Sequence, residues 1–181
     1  DNMISVLPSF ASLSRLEELD LYGNQVSNLS NLSGLPFLKH LDVSFNRIRK
    51  LDGFSDLPKL EQLYLVTNKL KLVPILRGFP SLRVLELGDN SIRQIEHLES
   101  VSETLEQLYL GKNKITRIEN LNLPQLQILS LQSNRLTKLE NLHQLPRLRE
   151  LYVTFVSSHS LITLKRFFFC QVRFAKWYFR D

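Results

Sequence analysis

The sequence predicts an α/β repeat solenoid, with a parallel sheet along a concave face and short helical or extended arms returning over the convex side. Two observations carry this. Asparagine recurs at Asn24, Asn46, Asn68, Asn90, Asn113 and Asn134, and each closes the same frame, Leu-x-x-Leu-x-Leu/Val-x-x-Asn-x-apolar. A period of about 22 residues is too short for a self-contained domain and marks units that bury their apolar side chains only by stacking. The frame reaches back to Asn2, followed by Ile4, Leu7, Phe10, Leu13 and Leu16 at the spacing of the later units. The first residue thus lies inside a repeat, and the chain is expected to be a fragment without its N-terminal cover.

Within one unit of this leucine-rich repeat, Leu38 to Ile48, the alternation around Leu41 and Val43 has the period of a short strand. Leu41 and Val43 are expected inside, and His40, Asp42 and Ser44 outside. After the strand the chain must turn, which leaves backbone groups without ladder partners, and a short amide side chain can satisfy them within the stack. The asparagine column is therefore assigned as a structural ladder. The return arm then spaces apolar residues three apart, as in Ile48, Leu51, Phe54, Leu57 and Leu60, which suits a tight helical or extended arm with one buried edge and not a long helix. Pro36, Pro58, Pro80, Pro124 and Pro146 each stand two residues before the leucine that opens a unit, where a fixed φ and a missing donor suit a corner. One residue is inserted between Val101 and Leu105 and one is lost between Leu121 and Leu126. Both changes fall in return arms, where length is tolerated.

Composition narrows the function. The single cysteine excludes a disulfide framework and favours an intracellular protein. Sequons at Asn28 and Asn31 carry little weight without a signal peptide and read better as chance occurrences, and no run of residues is apolar enough to span a membrane. The net charge of +5 is concentrated at one end, where residues 154–181 carry Lys165, Arg166, Arg173, Lys176 and Arg180 against Asp181. The repeats are nearly neutral, which argues against nucleic acid as a partner, because phosphate recognition needs concentrated lysine and arginine.

Two regions follow: a solenoid over 1–153, of about seven repeats with the first incomplete, and a non-repeat aromatic-basic tail over 154–181. The last clear strand pattern is Leu148 to Val153, and Val156 stands where the next asparagine belongs. The tail holds eight of the seventeen aromatic residues, including Phe167-Phe168-Phe169, with no leucine-rich spacing. It is expected to be a foreign end and no working cap, since a cap covers the last repeat and turns a polar face outward. An amphipathic segment for a membrane surface or a partner is the functional alternative.

The outward residue between the two inward positions of each strand forms a column: Asp20, Asp42, Tyr64, Glu86, Tyr109, Ser130, Tyr152. At a strand spacing of about 4.8 Å, Asp42 to Tyr109 spans roughly 14 Å of alternating acid and tyrosine. Such a strip suits a partner carrying arginine or lysine beside apolar pockets; ordinary solvated strand residues are the plain alternative. A second column is basic, with Arg47, Lys69, Lys114 and Arg135 each after a ladder asparagine and Arg49, Lys71 and Arg93 two residues further on. It reads as a solubilising rim, with weak steering of an acidic partner as the sharper alternative. His40 and Asp42 share a face, but no nucleophile can be placed beside them. His97, His143, His159 and Cys170 have no metal-ligand spacing, and glycine-rich phosphate loops are absent. No enzyme, metal site or cofactor is expected.

The repeat interiors are more specific than the leucine frame demands: LDLYGNQV at 19–26, LDVSFNRI at 41–48, LYLVTNKL at 63–70, LELGDNSIRQIE at 85–96, LYLGKNKITRIENL at 108–121 and LSLQSNRLTKLENL at 129–142. In this order they resemble the leucine-rich-repeat regulatory subunit of protein phosphatase 1, over about residues 1–153. The resemblance implies a nuclear and cytoplasmic, non-enzymatic protein, monomeric on its own, whose concave face grips the phosphatase catalytic subunit. The family's alternating acid and aromatic contacts fall here on Asp42, Tyr64, Glu86 and Tyr109. Two departures stand out: the family tends to have phenylalanine where Tyr64 and Tyr109 stand, and its later repeats and C-terminal cap have no counterpart. Other 22-residue repeat scaffolds, dynein-associated in cilia or spliceosomal, and a lipid-surface protein acting through its tail, are the alternatives.

Overall fold

The computed structural model describes residues 2–10 and 12–154, and the backbone of 171–174. Strands β1 (Glu18–Asp20), β2 (His40–Asp42), β3 (Gln62–Tyr64), β4 (Val84–Glu86), β5 (Gln107–Tyr109), β6 (Ile128–Ser130) and β7 (Glu150–Val153) form one parallel sheet in sequence order. The register steps by one repeat throughout, so that Leu19, Leu41, Leu63, Leu85, Leu108, Leu129 and Leu151 stand side by side. Neither the inserted nor the lost residue disturbs this row, because each is absorbed in an arm. The arms are extended, relieved by single 3-10 turns at Ser30–Leu32, Glu99–Val101 and Leu142–Gln144.

By sequence the repeats end at Val153; the sheet runs one strand further. Strand β8 (Gln171–Phe174) pairs in parallel with β7, Gln171 beside Glu150 and Arg173 beside Tyr152. Backbone pairing needs no leucine, which is why the apolar frame did not announce this strand. The other tail residues, with the foreign-end and membrane-segment expectations that rest on them, lie outside the described residues.

The core is a single band of buried leucine, isoleucine and valine running through all the repeats. Inward strand residues such as Leu41, Val43, Leu63 and Leu65 are fully buried, and the arm residues Ile48, Leu57 and Leu60 close on them from the convex side. Phe54 and Phe79 add a ring contact with centroids 5.3 Å apart between neighbouring arms. At the N-terminal end the band thins: Leu19 is only partly buried, and Met3, Ile4, Val6 and Leu13 are exposed.

Each asparagine of the column does the same work in its own repeat. Asn46 accepts from the Val26 N–H at 2.8 Å and donates to the Leu21, Val43 and Ser44 carbonyls at 2.9–3.1 Å. Asn68, Asn90, Asn113 and Asn134 repeat this four-point pattern one unit along, and Asn24 accepts from Ile4 and donates to Leu21 and Tyr22. The amide reaches these groups because the residue before it is left-handed: Gly23, Phe45, Thr67, Asp89, Lys112 and Ser133 all have φ between 51° and 67°. That residue's own N–H bonds the next repeat, as Phe45 does to Val66 at 2.8 Å and Thr67 to Gly88 at 3.0 Å. A costly conformation for most side chains is held because the hydrogen bonds on both sides leave no alternative.

Ser44 corrects the sequence reading, which set it outside with His40 and Asp42. It is 3% exposed, since the turn has begun there, and its hydroxyl accepts from the Val66 N–H at 3.1 Å.

On the convex side the arms approach closely at Gly78. Its φ is +85°, and a Cβ there would stand 2.7 Å from the Asp56 backbone nitrogen. Gly78→Ala is therefore expected to destabilise by about 1–2 kcal/mol, from a left-handed backbone and a clash with main chain that cannot rotate away. Urea unfolding checks this, and an unchanged midpoint would mean that the two arms can part freely.

Candidate functional site

The concave face presents two outward columns. The residues named from sequence form the first, Asp20, Asp42, Tyr64, Glu86, Tyr109, Ser130 and Tyr152, all in direct register. All are partly or fully exposed except Ser130, which is buried. The sheet thus brings together all the residues that sequence spacing selected. The second column lies two residues earlier: Glu18, His40, Gln62, Val84, Gln107, Ile128 and Glu150.

The columns are tied to each other along individual strands. The Tyr64 hydroxyl donates to Gln62 Oε1 at 2.7 Å, the Tyr109 hydroxyl to Gln107 Oε1 at 2.9 Å, and the Tyr152 hydroxyl to Glu150 Oε2. The acids instead fold forward. Asp20 accepts from the Tyr22 N–H and Asp42 from the Ser44 N–H, each at 2.8 Å, and Glu86 accepts from the Gly88 N–H at 2.7 Å. Gly88 is what makes room for the longer Glu86, since a Cβ at that position would lie 2.7 Å from its Oε1. Each acid and tyrosine of the strip is thereby oriented by a neighbour in its own repeat.

Sequence reasoning missed Gln62, Gln107 and Glu150, although the recurring Gln/Glu-Leu-Tyr triplet was a visible signal. It also missed Tyr22 and Phe45. These rings meet at a centroid distance of 4.9 Å, both about half exposed, beside Asp20 and Asp42. Turn residues carried no outward label in a pattern built on strand alternation.

The electrostatics are one-sided. Glu18, Asp20, Asp42, Glu86 and Glu150 occupy the two columns, which contain no lysine or arginine through β7. Burial between Tyr64 and Tyr109 pushes the Glu86 carboxyl up to about 7, against the opposing pull of the Gly88 N–H. Burial also raises the Tyr64 phenol, helped by Asp42 and Glu86, and the Tyr109 phenol, helped first by Glu86. Both hydroxyls therefore remain protonated donors. The chemistry available is the reception of cations and apolar groups, and a cation set beside Glu86 would favour the ionised carboxylate that burial opposes.

A test follows from the sign of that shift. Between the ordinary carboxyl value of 4.5 and about 7, the folded chain holds a proton on Glu86 that the unfolded chain has released. Stability therefore falls as pH rises through this window, and the cost is fully present above it. Glu86→Gln keeps an acceptor for Gly88 and should stabilise by about 1 kcal/mol at pH 8, after allowance for solvent screening, and by almost nothing near pH 4.5. Thermal unfolding at the two pH values checks it; an equal gain at both would show that the charge is not responsible.

His40 and Asp42 lie two residues apart on the outward face of β2, both partly buried. Among the described residues, no group of three or more His, Cys, Asp or Glu side chains could hold a metal ion, and no helix is long and apolar enough to cross a membrane.

A solenoid with a sheet lining its hollow and an oriented acid-tyrosine strip upon it defines a protein-interaction scaffold. The chain belongs to the leucine-rich repeat family: the profile for leucine rich repeats in two copies matches residues 36–78, 80–123, 103–142 and 124–165. Members of this family are typically non-enzymatic interaction modules. Among solved structures, an internalin, InlF, from Listeria monocytogenes is similar, with a TM-score of 0.54 and 23% sequence identity. The alignment covers 80% of this chain and 51% of that one, so this chain spans about half the length of that structure. That likeness concerns the fold alone. No curated protein matches the chain.

Proposed function

We propose that this chain is a non-enzymatic regulatory subunit that binds the catalytic subunit of protein phosphatase 1 through its concave face, in the nucleus and cytoplasm. The observation that carries the reading is the consecutive placement of Asp42, Tyr64, Glu86 and Tyr109 on adjacent strands. Those are the positions where the resemblance of the repeat interiors puts the family's acid and aromatic contacts. Tyrosines already held by Gln62 and Gln107 lose little freedom on binding, and an acidic strip without an ion pair among the described residues favours a partner surface rich in arginine and lysine. Asp20 and Tyr152 extend the strip at its ends.

Capture of purified phosphatase catalytic subunit tests this directly. Tyr64→Ala, Glu86→Ala and Tyr109→Ala are each expected to weaken binding by about 1–3 kcal/mol, as central anchors do, and Arg135→Ala on the rim by far less. Equal losses at Glu86 and Arg135 would refute the concave-face assignment. Recovery of dynein or spliceosomal proteins in place of the phosphatase would overturn the choice of partner while leaving the scaffold reading intact.

A further inference from the structure

A second surface lies on the rim, away from the concave strip. Four positions beyond the ladder asparagine, the repeats carry Asn28, Lys50, Leu72, Gln94, Arg117 and Lys138; seven beyond, they carry Asn31, Gly53, Ile75, His97, Asn120 and Asn141. Only the third repeat places apolar side chains at both. Its arm also follows a different path from four of the others, because Gly53, His97, Asn120 and Asn141 are left-handed at the second of these positions, with φ of 55–69°, whereas Ile75, like Asn31, is not. Val73 and Leu76 are buried, which turns Leu72 and Ile75 outward at 56% and 58% exposure. A groove of about 500 Å³ opens between this arm and the one before it.

The groove is apolar within and cationic at its edge. Leu51, Leu72 and Ile75 line it, and Arg49, Lys69 and Lys71 surround them. The one acid in the lining, Asp52, is paired with Lys50. Arg49, Lys69 and Lys71 form no ion pair among the described residues. An exposed leucine and isoleucine encircled by uncompensated positive charge match a ligand of the opposite construction.

We propose that this groove is a docking site for an acidic peptide segment of a partner protein, one that sets an apolar side chain on Leu72 and Ile75 between carboxylates facing Arg49, Lys69 and Lys71. The apolar contact supplies residence, and the charges supply orientation and a fast encounter that weakens with salt. The site does not depend on the concave face, so a scaffold gripping one protein there can hold a second protein's acidic segment on the rim.

Fluorescence anisotropy with a short labelled peptide, two leucines set among aspartates and glutamates, tests the proposal on the full chain. Saturable binding is expected, weakened at least about tenfold by the pair Lys69→Glu and Lys71→Glu and at least about fivefold by the pair Leu72→Ser and Ile75→Ser. Because all four side chains are exposed, the unfolding midpoint should not move, which separates lost docking from lost folding. Glu86→Ala and Arg135→Glu should leave the affinity unchanged. Absence of saturable binding overturns the proposal, as does indifference to the Leu72 and Ile75 pair, or a loss at Arg135 as large as that at Lys69 and Lys71, which would indicate diffuse polyanion attraction. Tighter binding to phosphatidylserine vesicles, with displacement of the peptide, would overturn it in favour of a membrane surface.

Discussion

Leu108→Ala is expected to lower the stability of the chain by about 2–5 kcal/mol, the range for emptying a buried leucine site. The upper part of that range is favoured by its place in the array. Leu108 is fully buried on β5, with Leu85 and Leu129 beside it in the row. The backbones of all three are fixed by hydrogen bonds one repeat apart, so the cavity cannot collapse by sliding a strand. In a linear stack the damage is also cooperative, because a weakened middle unit loosens the contacts of both neighbours. Urea unfolding followed by circular dichroism measures it. Leu19→Ala, at the thin end of the core, should cost clearly less, and equal losses at the two sites would show that the stack does not behave as coupled units.

Asn113→Ala should cost about 1–3 kcal/mol although it removes no apolar contact. Asn113 is 7% exposed; its Oδ1 accepts from the Ile92 N–H at 2.9 Å, and its Nδ2 donates to the carbonyls of Leu87, Leu110 and Gly111 at 2.9–3.2 Å. Truncation leaves these backbone groups buried without the amide. Asn113→Asp separates the roles: it keeps the acceptor for Ile92 and turns a carboxylate oxygen toward three carbonyls, so at neutral pH it should be at least as harmful as alanine. Thermal unfolding of both variants decides the matter, and full tolerance of Asp would mean that the donors contribute nothing.

How much of this could be seen in the residues depended on whether a physical demand selects one residue type. Only a branched apolar side chain fills the inside of a rung, so the row from Leu19 to Leu151 was legible. Only a short amide both accepts and donates at the turn, so the asparagine ladder was legible too. The left-handed residue before each asparagine was not, because its conformation is imposed by hydrogen bonds from neighbouring repeats and accepts Gly23, Phe45, Thr67, Asp89, Lys112 and Ser133 alike. Ser44 was misplaced for a related reason: alternation holds only while the chain is a strand, and it had already turned. Strand β8 escaped because backbone pairing selects no residue type. At the concave face the acid-tyrosine column could be read from spacing. The ties from Tyr64 to Gln62 and from Glu86 to Gly88 needed the real directions of the side chains.

The even step of the strands also limits the shape of what the hollow can hold. Neighbouring rungs present their outward residues about 4.8 Å apart, whereas same-side residues of an extended peptide recur about every 6.7 Å. Two rulers with such different divisions coincide only about every third rung. A peptide laid across the strip from Asp42 to Tyr109 could set one side chain well and would find the next between rungs. Consecutive recognition of Asp42, Tyr64, Glu86 and Tyr109 therefore calls for a partner whose contact groups come from separate parts of a folded surface, brought to the spacing of the sheet by that partner's own architecture.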